Sequence, residues 1–483
     1  MTSKLTATRW MGSLLWAGAL LAADSSAPAS APAVAGEKYL LLDSRVVAQT
    51  EGMVLRPGRA VKHPANPLFR EDRPWEVRFD NLYANVIRDP ATGLYRCWYS
   101  PFIVDPAMSE TPRERRVTER YRPRNREMGV CYAESRDGLK WEKPELGLID
   151  FRGSTRNNLV IRGPHGAGVF QDPRDPDPQR RFKMFFRDYE QLRSMAVAFS
   201  ADGLKWGSPQ ACPEIHVHGD THNNAFWAPE LGKYVGITRL KTDQRLVART
   251  ESADFLHWTR GVEVLRGDPA NQTYAMPVLP YAGVYLGLVM ILRRGEDRVH
   301  CELTWSPDTT TWHRVAPGTP LIPNSDKSGD YDWGCVYAAA VPVVLTREIR
   351  LYYGASNGPH TNWRDGFLAL ATLRPDGFAG WSPAQTGAAG TLVTQPITCT
   401  GSQLCVSADA AGGSLRVAVV GQEELSWEQC IAVTSNVTDG PVRWSGGATL
   451  HRLRGKKVQL KFELQDATVY AFKFVGNQGS ARE

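Results

Sequence analysis

The sequence lacks a Cys-x-x-Cys pair and a long basic tract, and after residue 35 it lacks an apolar run long enough to cross a membrane. Eight cysteines without paired spacing argue against a zinc site, and disulfides or buried free thiols are both open. The formal charge of +6 is spread along the chain, which argues against nucleic-acid binding. With 22% charged and 42% hydrophobic residues, the composition is that of a globular protein of one large domain or two ordinary ones.

The N-terminus is typical of a secretory signal. Lys4 and Arg9 precede an apolar stretch over 11–23, which is as long as a signal-peptide core and too short to span a bilayer. A Ser/Ala/Pro-rich linker follows it. We therefore expect an exported protein, periplasmic or extracellular, that has no membrane contact once residues 1–35 are removed. An uncleaved membrane anchor is the alternative.

One short pattern recurs five times: a small or polar residue, then Asp, a turn, and Trp. The first copy is Ser135-Arg136-Asp137-Gly138-Leu139-Lys140-Trp141. The other copies lie at 200–206, 252–258, 306–312 and, more loosely, 374–381. The Asp side chain can cap the turn by accepting bonds from backbone N–H groups, and the Trp can pack between neighbouring units. A period of about 50 residues is that of one four-stranded propeller blade.

Apolar strands joined by tight turns precede each copy, as in 85–99, where Asn85 to Arg88 and Tyr95 to Tyr99 flank a turn. Two repeats interlocked in the same order five times predict a five-bladed β-propeller over 36–388. After Gly390 the alternation of Leu404/Val406/Ala408 and similar runs predicts a half-buried sheet. The sequence therefore predicts an all-β protein with a five-bladed β-propeller over 36–388 and a C-terminal β-sandwich over 389–483.

In a propeller the innermost strands line a central channel, so residues just before each first strand are the candidate site residues. Asp89 and Asp172, in turns at the far end of those strands, are predicted to be structural. Four carboxylates meet the condition for a catalytic role: Glu76, Asp80, Asp220 and Asp332. The candidate substrate-binding residues are His165, His222, Asn223, Tyr83, Tyr274, Trp333 and Tyr337.

Several carboxylates facing one channel, among amides, histidines and aromatics, are what glycoside hydrolysis needs. One carboxyl acts as acid and another as base or nucleophile, while aromatics and amides hold the sugar. Each Asp taken singly could instead be a loop cap or a surface charge. His218, His222 and Asp220 could alternatively bind a metal, but two histidines four residues apart are weak evidence, so no catalytic metal is predicted.

Residues 109–127 form a long insertion in the first unit, with seven Arg and four Glu. Such a segment can be a solvated loop. It can also be a lid that recruits an anionic glycan, sulfated or uronic.

On these repeats the chain resembles the five-bladed propeller glycosidases of glycoside hydrolase families 32 and 43, and more closely exported proteins similar to the N-terminal domain of family 32. The resemblance covers about 70–385 and extends to the sandwich that follows. It implies acid/base hydrolysis or transfer at a glycosidic bond without a redox cofactor. The family 32 nucleophile signature Trp-x-Asn-Asp-Pro-Asn-Gly is absent, since the corresponding stretch reads Arg78-Phe79-Asp80-Asn81-Leu82-Tyr83. The family's Glu-Cys acid motif is also absent.

The first hypothesis is an exported glycoside hydrolase in which Asp80 or Glu76 is base or nucleophile and Asp220 and Asp332 are acid and stabiliser, in either order. The second is a non-catalytic glycan-binding propeller. A sialidase is a third reading, because the repeat is similar to that family's Asp-box. The expected partner is a carbohydrate, neutral or anionic. No cofactor is expected, and a structural Ca²⁺ ion is left open.

Overall fold

The computed structural model describes residues 38–476 of the chain. Within that range the protein consists almost entirely of antiparallel β-sheets, and its one α-helix is the short α1 (Pro106–Glu110). The all-β class expected from the sequence is therefore confirmed. No helix among these residues is long and apolar enough to cross a membrane. The predicted signal segment, residues 1–35, lies outside the described residues.

Five strands precede the first repeated unit: β1 (Lys38–Leu40), β2 (Val47–Glu51), β3 (Met53–Pro57), β4 (Val61–Lys62) and β5 (Phe69–Arg70). The first unit contains β6 (Asn85–Arg88), β7 (Tyr95–Tyr99), β8 (Phe102–Val104), β9 (Glu127–Ser135) and β10 (Leu159–Arg162). The second contains β11 (His165–Gln171), β12 (Phe182–Arg187), β13 (Met195–Ser200) and β14 (Gln210–Ala211). The third contains β15 (Asn224–Ala228), β16 (Lys233–Lys241), β17 (Arg245–Ser252) and β18 (Val262–Arg266).

The fourth unit contains β19 (Asn271–Ala275), β20 (Val278–Tyr281), β21 (Val284–Arg293), β22 (Arg298–Ser306) and β23 (His313–Arg314). The fifth contains β24 (Cys335–Ala338), β25 (Val343–Val344), β26 (Ile349–Ser356) and β27 (Gly366–Leu373). The long strands of each unit pair antiparallel, as the hairpin pattern predicts: β7 with β9, β12 with β13, β16 with β17, β21 with β22 and β26 with β27. The N-terminal strands β4 and β5 pair with β27 and complete the fifth sheet. One parallel residue pair, Val299 with Cys335, joins the fourth sheet to the fifth.

The predicted Asp-capped turn is confirmed in four of the five copies. In the first, Asp137 Oδ1 accepts hydrogen bonds from the backbone N–H groups of Leu139 (2.8 Å) and Lys140 (2.9 Å). Ser135 Oγ accepts one from Gly138 N at 2.8 Å, and Gly138 has a positive φ of 74°, which glycine adopts without strain. The same bonds recur around Asp202, Asp254 and Asp308.

Each turn is also bound by the unit that precedes it. A side chain of one unit donates a hydrogen bond to the turn of the next, and the fifth unit donates to the turn of the first. The pairs are Tyr352 Oη to the Gly138 carbonyl (2.9 Å), Trp98 Nε1 to the Gly203 carbonyl (2.6 Å), Arg180 Nη2 to the Asp254 carbonyl (2.6 Å), Arg249 Nε to Thr309 Oγ1 (2.7 Å) and Tyr281 Oη to Asp376 Oδ1 (2.7 Å). The repeat therefore joins consecutive units in a cyclic order.

The C-terminal strands are β28 (Ala379–Pro383), β29 (Ala389–Thr394), β30 (Ile397–Thr398), β31 (Gln403–Asp409), β32 (Ser414–Val419), β33 (Cys430–Ile431), β34 (Asn436–Pro441), β35 (Arg443–Trp444), β36 (Lys457–Val458), β37 (Leu460–Gln465) and β38 (Thr468–Val475). They form two main antiparallel sheets, one of order β3-β28-β38-β31-β34, which β1 joins by pairing with β38, and one of order β2-β29-β37-β32. Residues of both sheets contribute to one apolar core that includes Leu404, Val417 and Phe462. The predicted alternation of burial is confirmed in β32 and β37, whereas β31 is buried on both faces over residues 404–408.

The strand pairing differs from the predicted division at residue 388. Strands β1, β2 and β3, over 38–57, belong to the C-terminal sheets rather than to the repeated units. The fifth Asp of the repeat takes part in this junction. Asp376 is buried and accepts hydrogen bonds from Lys38 Nζ (2.7 Å) and Ser407 Oγ (2.6 Å), instead of capping its own turn.

All eight cysteines lie within the described residues, where they are buried and form no disulfide.

Candidate functional site

The candidate site is a polar pocket of about 870 Å³. Its lining comes from the segment before β6, the 111–126 segment, β11, the loop before β15, β17, β19, the end of β21 with the turn that follows it, and the loop that precedes β27. Its charged and titratable lining residues are Arg78, Asp80, Arg120, Tyr121, Arg126, His165, Asp220, Arg245, Tyr274, Arg294, Asp297 and His360. Three carboxylates and two imidazoles from different units therefore meet in one cavity, within the size range of small-molecule sites.

Asp80 lies on one side of the pocket between two arginines. Its Oδ1 accepts a hydrogen bond from Arg364 Nη2 at 2.7 Å and lies 3.3 Å from Arg78 Nε. Burial alone would raise the pKa of Asp80, but the charges of Arg364 and Arg78 outweigh it and hold that pKa well below its usual range. Asp80 is therefore ionised at neutral pH.

The backbone beside Asp80 is strained. Leu82 and Tyr83 both have positive φ, 62° and 45°, a conformation that residues other than glycine rarely adopt. Asn81 stabilises this bend by donating through Nδ2 to the hydroxyls of Tyr83 (2.6 Å) and Tyr274 (3.0 Å). Such strain persists only where surrounding contacts enforce it, and it is concentrated at functional sites.

Asp220 and His165 form the second carboxylate centre. His165 Nε2 lies 2.8 Å from Asp220 Oδ1, and Arg239 Nη1 lies 3.5 Å from Asp220 Oδ2. Burial opposes ionisation of Asp220, but the hydrogen bond with His165 and the charge of Arg239 hold its pKa well below the usual range. The Asp220 side chain is 38% exposed and that of Asp80 is 17% exposed, so Asp220 is the more accessible of the two carboxylates.

Asp297, His360 and Tyr274 form a third group. Asp297 Oδ2 accepts hydrogen bonds from Thr361 N (2.8 Å) and Thr361 Oγ1 (2.6 Å), and His360 Nδ1 lies 3.4 Å from Oδ1. His360 Nε2 lies 3.1 Å from the Tyr274 hydroxyl. Burial would raise the pKa of Asp297, but these contacts hold it at about 2, and burial lowers the pKa of His360. A chain of polar groups therefore connects a carboxylate to a tyrosine hydroxyl inside the pocket.

All three carboxylates that line the pocket have lowered pKa values, so none of them carries a proton near neutrality. They can act as bases, nucleophiles or stabilisers of positive charge. A proton donor in this pocket must be another group, and the imidazole is the side chain that exchanges protons in the neutral range.

The arginine-rich insertion packs over the pocket. Tyr121 N donates to Asn362 Oδ1 (3.2 Å), Trp363 Nε1 donates to the Glu119 carbonyl (2.6 Å), and the Tyr121 and Trp363 rings are 5.1 Å apart. The segment thereby brings Arg120 and Arg126 to the pocket wall. These contacts favour the interpretation in which the insertion forms part of the site over the one in which it is a solvated loop.

Two of the predicted catalytic carboxylates do not reach this pocket. Glu76 is buried elsewhere, where it accepts hydrogen bonds from Tyr99 Oη (2.6 Å) and Lys143 Nζ (2.8 Å). Asp332 is fully buried and forms an ion pair of 2.7 Å with Lys62. The expectation that all four carboxylates face one channel is therefore met only by Asp80 and Asp220, because Lys143 and Lys62 bind the other two away from the pocket.

The predicted binding residues divide in the same way. His165 and Tyr274 line the pocket. Tyr83 lies beneath it, with its ring 6.1 Å from that of His165. His222 is buried below Tyr83, and burial lowers its pKa to about 3, so it is neutral.

Asn223 has a structural role, since it donates to the Gly166 carbonyl (3.1 Å) and accepts from Thr238 Oγ1 (2.6 Å). Tyr337 packs beneath Tyr274, with the two ring centroids 5.4 Å apart. Trp333 lies outside the pocket, under Arg298. Neither of these two aromatic residues lines the pocket.

Sequence reasoning missed Asp297, His360 and the arginines that hold Asp80 and Asp220. His360 stands in the polar stretch Asn357-Gly358-Pro359-His360-Thr361, which could have marked a functional loop. Arg239 and Arg364 carried no such signal, because each lies in or beside an apolar strand. Within residues 38–476 no group of three or more His, Cys, Asp or Glu side chains is arranged to hold a metal ion.

No protein-family model matches the chain, and none of the curated proteins matches it in sequence. Solved structures are distantly similar. A glycosyl hydrolase from Bacteroides ovatus is 14% identical over 66% of this chain and 94% of its own, with a TM-score of 0.42. An N-acetylgalactosamine deacetylase from F. plautii, in complex with blood group B trisaccharide, is 15% identical over 67% and 96%, with a TM-score of 0.40.

A third similar structure is described under the GH130 family of mannoside phosphorylases, which contains glycoside hydrolases that target β-1,2 mannosidic linkages in Candida mannan. It is 14% identical over 66% of this chain and 94% of its own, with a TM-score of 0.43. Glycoside hydrolases thus occur among the similar structures, but the likeness is too distant to carry an argument about this pocket.

Proposed function

We propose that this protein is an exported carbohydrate-active enzyme that hydrolyses a glycosidic bond in the pocket lined by Asp80, Asp220 and His165. The observation that carries the proposal is that two ionised carboxylates from different units, one of them hydrogen-bonded to a histidine, line a single polar cavity. The sequence resemblance to glycoside hydrolase families 32 and 43 supports the same chemistry, and the N-terminal segment 1–35 supports export.

The architecture behind this proposal is a five-bladed β-propeller and a β-sandwich. The cyclic hydrogen bonds between the five turns and their neighbouring units support a closed ring in which β4 and β5 complete the last blade. On this interpretation the pocket lies where the five blades converge, and β1 to β3 connect the sandwich to the start of the ring.

The roles follow from the charges. Asp80 is ionised and is the base or nucleophile on one side of the bond. His165 is the proton donor to the leaving oxygen, and Asp220 positions its ring, as a carboxylate does beside histidine in other hydrolases. Asp332 and Glu76 have no role in the step, because both are bound inside the protein.

A second candidate is a non-catalytic glycan-binding protein. The lowered pKa of every carboxylate in the pocket favours it, since glycosidases commonly use a carboxyl whose pKa is raised as their acid. Incubation of the mature protein with a glycan panel, followed by mass spectrometry, separates the two. Released fragments that Asp80→Asn and His165→Gln no longer produce support the enzyme, whereas binding without release supports the second candidate.

A further inference from the structure

Five arginines line the pocket, and only one of them is committed to a carboxylate. Arg78 is fully buried and lies 3.3 Å from Asp80. Among the described residues, the other four have no carboxylate within 4.0 Å: Arg120, Arg126, Arg245 and Arg294. Within residues 38–476, four guanidinium groups from three separate segments therefore converge on one cavity, and none of them is in ion-pair contact with a carboxylate.

The carboxylates of the pocket are already in contact with partners of their own. Asp80 is bound by Arg364 and Arg78, and Asp220 is bound by His165 and Arg239. Asp297 is held by Thr361 and lies beside His360. Counting the buried Arg364 and Arg239, seven guanidinium groups surround three carboxylates, so the region is electropositive.

The charges of the insertion also add to the positive charge of the pocket. Its acids Glu119 and Glu110 pair with Arg115 and Arg124, all four of which are largely exposed. Arg120 and Arg126 are left to face the pocket. The acids of the insertion therefore neutralise its outer arginines and not the two that line the cavity.

The aromatic residues of the pocket do not offer a platform for a neutral sugar. Arg78 covers the Tyr121 ring at 4.0 Å, and Arg239 covers the Tyr274 ring at 4.3 Å. Arg245 lies 5.3 Å from the Tyr274 ring, and its Nε is buried without a hydrogen-bond partner. An arginine thus covers each of the two tyrosine rings that line the pocket, and guanidinium groups are the most numerous donors of the lining.

We propose that the glycan acted on by this protein is anionic, and that Arg120, Arg126, Arg245 and Arg294 bind its carboxylate or sulfate groups. This inference rests on the proposed function, which it sharpens by naming the substrate class. Guanidinium groups present planar pairs of N–H donors that match carboxylate and sulfate oxygens, whereas a neutral sugar hydroxyl gains less from them. A uronic acid and a sulfate ester share this chemistry, and the ligand panel separates them.

The test is binding of the purified protein to immobilised oligosaccharides, followed by calorimetry on those that bind. The panel contains neutral galactan and cello-oligosaccharides, uronic oligogalacturonate and oligoalginate, and sulfated chondroitin and carrageenan fragments, with inorganic phosphate alone as a further ligand. We expect at least one uronic or sulfated class to bind about tenfold more tightly than every neutral one, and its affinity to fall as salt rises.

Variants locate the effect. Arg294→Gln and Arg245→Gln should each weaken binding of the anionic ligand about tenfold. Arg115→Gln lies in the insertion that carries Arg120 and Arg126, but it is paired with Glu119 away from the pocket; it is the control and should bind as the wild type does. Arg294 is exposed, so its substitution tests the site even if Arg245→Gln proves unstable in thermal unfolding.

Three results would overturn the inference: equal binding of neutral and anionic glycans, no binding of any anionic glycan by folded protein at low salt, or a free phosphate ion bound as tightly as the glycans. Failure here is distinct from failure of the proposed hydrolysis. Release of fragments from a neutral glycan removes the inference and keeps the enzyme, whereas tight binding of an anionic glycan without release keeps the inference and removes the enzyme.

Discussion

His165 Nε2 lies 2.8 Å from Asp220 Oδ1, and this pair joins the start of the second unit to the loop that enters the third. Residues 55 positions apart are thereby placed at one pocket that also contains Asp80. The pair gives the pocket an imidazole beside a carboxylate that stays ionised, which is an arrangement suited to proton transfer near neutral pH.

The first prediction concerns the pH dependence of turnover. Because the pKa values of Asp80 and Asp220 lie well below their usual range, kcat/KM should show no acid limb above about pH 4. Asp220→Asn removes the carboxylate that positions the His165 ring, so turnover should fall about a thousandfold. Undiminished turnover by a folded Asp220→Asn protein would contradict the role given to the pair.

The second prediction separates Asp332 from the pocket. Asp332→Asn breaks a buried ion pair with Lys62 and should lower the free energy of unfolding by about 3 kcal/mol, measured in urea. Its kcat per folded molecule should match that of the wild type. Asp326→Asn, an exposed aspartate six positions away, is the control and should change stability by less than about 0.5 kcal/mol. Loss of turnover in a folded Asp332→Asn protein would return Asp332 to the active site.

The third prediction concerns Glu71, which accepts hydrogen bonds from Phe79 N and Gly366 N, both at 2.9 Å. Burial raises its pKa to about 7. Because the folded state binds this proton more tightly than the unfolded chain, the stabilisation is full below the unfolded pKa and is lost as pH rises through about 7. The free energy of unfolding should therefore fall between about pH 5 and about pH 8 in the wild type, and fall less in Glu71→Gln. If the unfolding free energy of the wild type and of Glu71→Gln changed with pH in parallel, the role given to the Glu71 proton would be wrong.

The fourth prediction concerns the repeated turn. Asp202→Ala removes the acceptor of two backbone N–H groups and should cost about 1 kcal/mol of unfolding free energy, by analogy with a helix cap. Asp376→Ala should cost more, since this aspartate is buried and binds Lys38, Ser407 and Tyr281 at the junction with the C-terminal sheets. Equal costs for the two variants would show that the fifth copy is not the junction described here.

Much of the fold could be predicted because its signals are local. The Asp-turn-Trp pattern depends on bonds between residues two or three positions apart, as at Asp137, and strand alternation is equally local. The placement of β1 to β3 in the C-terminal sheets could not be predicted, because it is set by pairings such as that of Tyr39 with Phe472.

The site was predicted less completely, because its geometry also depends on contacts between residues far apart in the sequence. Asp80, Asp220, His165 and Tyr274 were found because polar residues before a first strand face the centre of the molecule. Whether such a carboxylate reaches the pocket depends on distant cations: Arg364 holds Asp80 at the pocket, while Lys62 and Lys143 hold Asp332 and Glu76 inside the protein. No pattern in the sequence marks those pairings.

The most direct test of the account is product analysis in water enriched in heavy oxygen, with the mature wild type, Asp80→Asn and His165→Gln compared on uronic and sulfated glycans. The account predicts that the wild type releases fragments carrying one heavy oxygen at the new reducing end, and that both variants lose this activity about a thousandfold while remaining folded. Fragments without heavy oxygen, or undiminished release by Asp80→Asn, would contradict hydrolysis at this pocket.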